Sequence, residues 1–297
     1  MTADRKLLIV DLDQTLLTTD KRVTEYMKNF LLDFTAAGNI LAICSGRDIN
    51  STTEVFESFG TGIKGTYICA YNGGQIMKYD SKETVFKSGI DLETVSAIFA
   101  LADERDIHVQ AYSDEFVISK RADECVAFYR RHISTPSLVT DKPMKYLPEK
   151  PCKMLAIELN DHEKQLAFRD ELNAIYSDTL DIFFSSPVYL EIIPKGSGKG
   201  NAVRKLSEIT GIPIENIIAA GDEENDISMI EAAGTGIAMI NAKDIVKARA
   251  DLITEYDNDH DGLARTLKKL FEKNKWAERK PHGGNKTGNN RIRKTGE

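Results

Sequence analysis

The sequence predicts an α/β fold, a doubly wound parallel sheet interrupted by an inserted α+β domain. Three observations predict it. Short apolar runs recur ("LLIV", "NILAICS", "GTYICAY", "NIIAAGD", "GTGIAM"), too short for helices and without the alternation of a half-solvated strand. Segments with helical spacing separate them. Between about residues 82 and 194 this rhythm gives way to alternating strand patterns, helices and a hairpin.

The elements follow in order. Residues 7–12 read as a buried strand. "VTEYMKNFLLDFTAAG" has helical spacing and stops at Gly38. "NILAICS" is a second strand, "INSTTEVFESFG" a second helix and "GTYICAY" a third strand. A helix, "LETVSAIFALADERD", opens the insertion and alternating strands "IHVQAYS" and "EFVISK" follow. Then come another helix, a Pro-containing stretch ("TPSLVTDKPMKYLPEKP"), the strand "CKMLAIELN", a helix and the hairpin "LDIFFSSPVYLEIIP". After Pro194 the βα alternation resumes: helix 199–210, strand "NIIAAGD", helix from Glu224, strand "GTGIAM", helix from Ala242, strand "ADLIT" and helix 261–272. These place a core domain at 1–82 and 190–272, a cap at 83–189 and a disordered basic tail at 273–297. The tail is polar and Gly/Asn-rich, with almost no apolar residues.

Composition narrows the function classes. The 297-residue chain carries a net charge of −7, although its last 27 residues hold eight Lys/Arg against three Glu. An acidic body disfavours nucleic acid. No run approaches the ~18 apolar residues of a membrane span, and "MTADRKLLIV" lacks a signal peptide's apolar region. Cys44, Cys69, Cys125 and Cys152 form no CxxC pair. They read as buried thiols of a cytoplasmic protein, a monomer or weak homodimer.

Parallel sheets bind ligands at the carboxyl ends of their strands, and Asp11, Ser45 and Asn72 all fall there. Asp11 and Asp13 are two residues apart, on one side of an extended segment. At ~4 Å their repulsion is about 4 kcal/mol at an effective dielectric of 20. Either a cation lies between them or one stays protonated. On "DLD" alone, two solvated carboxylates are as good a reading. "IIAAGDEENDISM" repeats the pattern, a strand ending at Asp222 before a helix that begins with Glu224, Asn225 and Asp226. Acidic residues suit a helix N-terminus, but that does not account for a second strand ending in Asp. Two such clusters meeting in space make an oxygen-only site, which suits Mg²⁺. In "CSGRD", Ser45 and the Gly46 amide precede a helix N-terminus, an anion site that Arg47 augments. "KGSGKG" offers a lysine to the same region.

As a set, "DLDQT", "CSGR", "YNGG", "EIIPKGSGKG", "GDEENDISM" and "AMINA" resemble the haloacid-dehalogenase superfamily, in particular its Cof-type phosphatases, over residues 7 to about 270. The resemblance implies a Rossmann-like core with an α+β cap. It makes Asp11 the nucleophile and Asp13 the general acid/base of a reaction through an aspartyl-phosphate. It assigns the phosphoryl group to Ser45, Gly46 and Lys199. Mg²⁺ goes to Asp11, Asp222 and the Asp13 carbonyl, supported by Asp226 and Asn225. Arg47, Asn72, Gly73 and Asn225 then face substrate near the cap opening. Gln14 stands where these relatives mostly carry Gly. The implied activity is Mg²⁺-dependent hydrolysis of small phosphorylated metabolites, sugar phosphates among them. A phosphomutase or other phosphotransferase, or a phospho-ligand sensor, is the alternative.

Other signals weigh less. "GTGIKG" matches a dinucleotide motif but lies between a helix and a following strand, the reverse of that context. "GSGKG" departs from a phosphate loop at Ile193 and Gly200. The five histidines form no zinc pattern.

Overall fold

The computed structural model describes residues 5–131 and 135–272; the tail expected at 273–297 lies outside the described residues. The chain opens with β1 (Leu7–Val10), α1 (Glu25–Ala36), β2 (Ile40–Cys44), α2 (Ile49–Ser58), β3 (Tyr67–Ala70), β4 (Gln75–Lys78) and β5 (Glu83–Lys87). Then come α3 (Leu92–Glu104), β6 (His108–Tyr112), β7 (Val117–Ser119), α4 (Glu124–Tyr129), β8 (Ser137–Val139), β9 (Met154–Ile157), α5 (His162–Tyr176), β10 (Leu180–Ser186) and β11 (Tyr189–Pro194). The chain continues through α6 (Lys199–Thr210), β12 (Ile217–Gly221), α7 (Ile227–Ala232), β13 (Thr235–Ala238), α8 (Asp244–Lys247), β14 (Leu252–Ile253) and α9 (Gly262–Glu272).

One sheet runs β14-β13-β12-β1-β2-β3-β4-β5. It is parallel from β14 to β3, with β4 and β5 antiparallel at one edge. Both faces are covered, which is why its strands are apolar without alternation. Leu8 and Val10 pack with Met27 and Leu31 of α1 and Leu267 of α9. Leu7 and Ile9, pointing the other way, pack with Ala202, Val203 and Leu206 of α6 and Met229 of α7. The second sheet, β10-β11-β9-β6-β7-β8, is covered by Val95, Ile98 and Phe99 of α3 and Phe168 and Leu172 of α5.

Helix starts follow local chemistry. The Thr24 hydroxyl accepts from the Met27 amide at α1, and Asp48 accepts from Ser51 at α2, each satisfying an orphan donor of the first turn.

The structure departs from the sequence expectations in several places. Strand β1 stops at Val10, not at 12, because residues 12–16 wind into a tight turn. The hairpin partners β4 and β5 were not anticipated. Strand β5 belongs to the first sheet and β11 to the second, so the sheet changes after 87 and after 194; the second change falls where the βα alternation resumes in the sequence, and the domain bounds drawn from the sequence were 82 and 189. The Pro-containing stretch holds β8, and α7 begins only after a single 3-10 turn at Glu224–Asp226. All four cysteines are buried and free. Among the described residues, no helix is long and apolar enough to cross a membrane.

Candidate active site

Strands β1 and β12 lie side by side, with Val10 opposite Ala220. The Asp11 amide donates to the Ala220 carbonyl at 3.0 Å, so the first residues past both strands emerge together. This register brings Asp11 and Asp222 to one place. The oxygens of Asp11, Asp222 and Asp226 lie within 4.8 Å of one another. Lys199 joins them from the first residue of α6, buried to 1 % exposure; its Nζ donates to Asp11 Oδ1 at 2.5 Å and to Asp226 Oδ1 at 2.6 Å. A cation at a helix N-terminus opposes the helix dipole, and the two carboxylates offset that.

The other oxygen of Asp226 accepts from the Asp222 and Glu223 amides, at 3.0 Å each. Asp226 is thus fully engaged by the protein. It sits so close beneath β12 that a Cβ on Gly221 would come within 2.4 Å of its Cγ. Thr15, whose hydroxyl donates to Asp222 Oδ1 at 2.8 Å, fixes the remaining carboxylate.

Three carboxylates against one ammonium leave the site short of positive charge. Burial pushes Asp11 up to about 8, against the pull of Lys199 and with a further push from Asp226 and Asp222. Burial likewise raises Asp222 to about 6, opposed by the Thr15 hydrogen bond and helped by Asp226 and Glu223. Lys199, although desolvated, is held above the ordinary lysine range by Asp11 and Asp226. All-oxygen donors with a charge deficit fit a hard divalent cation; soft-metal ligands are lacking at this cluster.

Asp13 has a different environment. It lies in the turn after β1, half-exposed, rather than on the strand. Arg47 grips it with Nη2 at 2.9 Å from both oxygens and Nε at 3.2 Å, and Lys21 adds a contact at 2.7 Å. Burial acts to raise its pKa, but Lys21 and Arg47 outweigh that and hold it below the usual carboxylate range. The expected repulsion between the two Asp residues is therefore resolved by two separate sets of cations. The next residue, Gln14, adopts φ 59°, the left-handed conformation that Gly takes at least cost. Its carbonyl accepts from Asn241 at 2.9 Å.

Ser45 follows β2 and is buried; its Oγ accepts from the Arg47 amide at 3.2 Å, and its amide donates to Cys69. Gly46 lies beside the Asn72 side chain, which accepts from Asn225 at 3.1 Å. Asp11, Asp13, Ser45, Gly46, Arg47, Asn72 and Asn225 line one cavity of about 320 Å³. Gly73, expected to face substrate, is not among the residues that line this cavity. It adopts φ 87°, and a Cβ there would lie 2.8 Å from Ala202 Cβ, so its role is close packing on α6.

The sequence reading gave no role to Thr15 or Lys21, nor to the second-sheet residues Tyr129, Lys153, Leu155, Ser185, Tyr189 and Glu191 that close the cavity. Thr15 carried a signal, its place in "DLDQT". The second-sheet residues carried none, because only packing of one sheet over the other brings them to the cavity, and Lys21 reaches Asp13 from the loop before α1. His108, Asp123 and Cys125 also cluster in the second-sheet region, where Asp123 caps α4 and contacts His108 at 2.8 Å.

Comparison with known proteins gives a consistent result. A sequence model of haloacid dehalogenase-like hydrolases matches residues 8–267. The chain is 27% identical to the 5-amino-6-(5-phospho-D-ribitylamino)uracil phosphatase YitU of Bacillus subtilis, across 89% of this chain and 97% of that one. It is 27% identical to the pyridoxal phosphate phosphatase YbhA of Escherichia coli, across 88% and 97%. A solved haloacid dehalogenase-like hydrolase from Bacteroides thetaiotaomicron superposes with a TM-score of 0.81 at 29% identity, covering 90% of this chain and all of that one.

Proposed function

The chain belongs to the haloacid dehalogenase-like hydrolases, and we propose that within them it is a Mg²⁺-dependent phosphatase of small phosphorylated metabolites, acting through an aspartyl-phosphate. The observation that carries this reading is the meeting of Asp11, Asp222 and Asp226 around buried Lys199 at the ends of adjacent strands. The activities for which the relatives are named support the reaction class and differ in substrate.

Asp11 is the nucleophile. Lys199 and Ser45, with the Gly46 amide, hold the phosphoryl oxygens in line with it. Asp13 gives a proton to the leaving ester oxygen, then takes one from the water that hydrolyses the aspartyl-phosphate. For this both Arg47 and Lys21 must release Asp13, and the arriving phosphate offers the two cations an alternative partner. Asn72 and Asn225, already hydrogen-bonded to each other, form the polar wall beside it. Asp11 and Asp222, with the Asp13 carbonyl, would hold Mg²⁺, which neutralises developing phosphoryl charge. Asp226 serves that site indirectly, by anchoring Lys199 and the Asp222 backbone. Buried thiols accord with a cytoplasmic location.

The test is a panel of phosphorylated metabolites and p-nitrophenyl phosphate, assayed after exhaustive chelation and again with Mg²⁺. Activity should vanish with chelation and return with Mg²⁺. Full activity after chelation, or rescue only by Zn²⁺, overturns the oxygen-only site.

A further inference from the structure

The cavity roof contains an ion pair that folding does not explain. Lys153 and Glu191 are 6 % and 7 % exposed, and Lys153 Nζ lies 2.8 Å from Glu191 Oε2. Oε2 has no hydrogen-bond partner beyond this contact with Lys153. The other oxygen, Oε1, accepts from Ser185 Oγ at 2.8 Å. A buried ion pair gives little net stability over apolar residues of the same volume, and a buried acceptor left short of partners is a cost. The pair nonetheless stands where the two-residue period of the strands directs side chains to the cavity. Glu191 pairs with Leu155 across β11 and β9, and both line it, as do Tyr189 and Lys153 two residues away from each. Ser185 sits at the register shift between Phe184 and Ser186 in β10, and it too lines the cavity.

We propose that Glu191 and Lys153 are the specificity-determining pair of this site, reading a vicinal diol on the leaving group. The inference rests on the phosphatase reading above. One hydroxyl donates to Glu191 Oε2, whose second lone pair is left open beside the Lys153 contact. Its neighbour accepts from the Lys153 ammonium, which has three donors. Their 2.8 Å separation matches the spacing of adjacent oxygens in a diol, which is close to an ordinary O–H···O contact of about 2.8 Å. A leaving group with an aromatic face but no diol leaves this lone pair of Oε2 open on closure. Tyr129 and Tyr189 flank the pair as walls, not as its replacement.

The test compares ribose 5-phosphate and xylose 5-phosphate, each with its 2-deoxy analogue, whose furanose ring carries no adjacent hydroxyls, and p-nitrophenyl phosphate as a diol-free reference. A site built to bond a hydroxyl discriminates strongly against the analogue lacking it. In the wild type, kcat/KM for at least one sugar phosphate should exceed that for its 2-deoxy analogue by about tenfold or more. In Glu191→Gln, and in the charge-neutral double variant Lys153→Met/Glu191→Gln, that ratio should fall towards one, mainly through KM. The double variant leaves no unpaired buried charge, and circular dichroism verifies its fold. Wild-type ratios near one for both pairs, or ratios unchanged in both variants, overturn the inference while activity on p-nitrophenyl phosphate leaves the phosphatase reading standing. A wild type inactive on all five compounds with Mg²⁺ overturns both.

Discussion

Lys199 organises more of the site than its single charge suggests. Its ammonium hydrogen-bonds both Asp11 and Asp226, so it ties the proposed nucleophile to the residue that shapes the Asp222 backbone. Two substitutions separate these roles. Asp11→Asn keeps the shape but removes the attacking oxygen's charge, so turnover of an aryl phosphate should disappear while circular dichroism stays native. Retention of more than a tenth of wild-type kcat would show that Asp11 is not the nucleophile. Thr15→Val removes only the hydrogen bond to Asp222. A hydrogen bond to a charged group is worth about 1.5–3 kcal/mol. Calorimetric titration with Mg²⁺ should therefore show affinity falling by about tenfold or more, and an unchanged dissociation constant would remove Thr15 from the metal's support. Gln14, at φ 59°, is strained by about 1–2 kcal/mol relative to Gly. Gln14→Gly should raise the unfolding midpoint in urea, since relief of strain exceeds the added unfolded-state entropy of about 0.5–1 kcal/mol. A lower midpoint would mean that the Gln14 side chain makes compensating contacts.

The end of β12 shows how close elements must approach to build the site. The strand leaves through Gly221 directly over Asp226, and α7 follows after one tight turn. The clash of a Cβ at 2.4 Å is with a side chain held on both oxygens, not with a flexible end. Gly221→Ala should therefore displace Asp226 and with it the Asp222 amide and Lys199. The expected result is a loss of at least about tenfold in kcat, from misplaced catalytic groups, together with weaker Mg²⁺ binding. Normal kinetics in this variant would show that the strand can shift without disturbing the carboxylates. The same geometry explains why a strand–turn–helix with Gly-Asp at the turn does what no isolated acidic cluster does.

Across the whole molecule, the second sheet has its own apolar interior. Phe168 and Leu172 of α5 and Ile98 and Phe99 of α3 pack there, apart from the two clusters flanking the first sheet, one of which reaches Tyr112, Val117, Leu155 and Ile157 on the second sheet. Phe168 is 1 % exposed, and Phe168→Ala should cost about 3–5 kcal/mol. That loss falls on the second-sheet region. Differential scanning calorimetry should show an earlier transition, while Mg²⁺ affinity at low temperature stays near wild type. Loss of metal binding in the folded variant would mean that the two regions are energetically one unit, joined through contacts such as Thr135 with Asp48 and Asn50 with Asp114.

The parallel core and the strand-end acids were legible in the sequence because they are local. A strand buried on both faces must be apolar throughout, as "LLIV" and "IIAAG" are. A carboxylate directly after such a strand stands out against it. The αL conformation of Gln14 showed only in the Gly that relatives mostly carry there, not in its own side chain, whereas Asn72, in an Asn-Gly pair, is a residue type that tolerates a positive φ. The antiparallel edge formed by β4 and β5 was not legible, because its pairing with β3 is made by a tight turn at Tyr71–Gly73 that the apolar pattern does not encode. The roof of the cavity was invisible for a deeper reason. Lys153 and Glu191 are 38 positions apart along the chain, each surrounded by ordinary strand residues, and they become neighbours only because β11 pairs with β9. Strand order, and the docking of one sheet over the other, are decided by the packing of whole faces. Local pattern supplied the strand-end carboxylates of the candidate site, and tertiary packing brought to the cavity Lys153 and Glu191, the pair proposed to select its substrate.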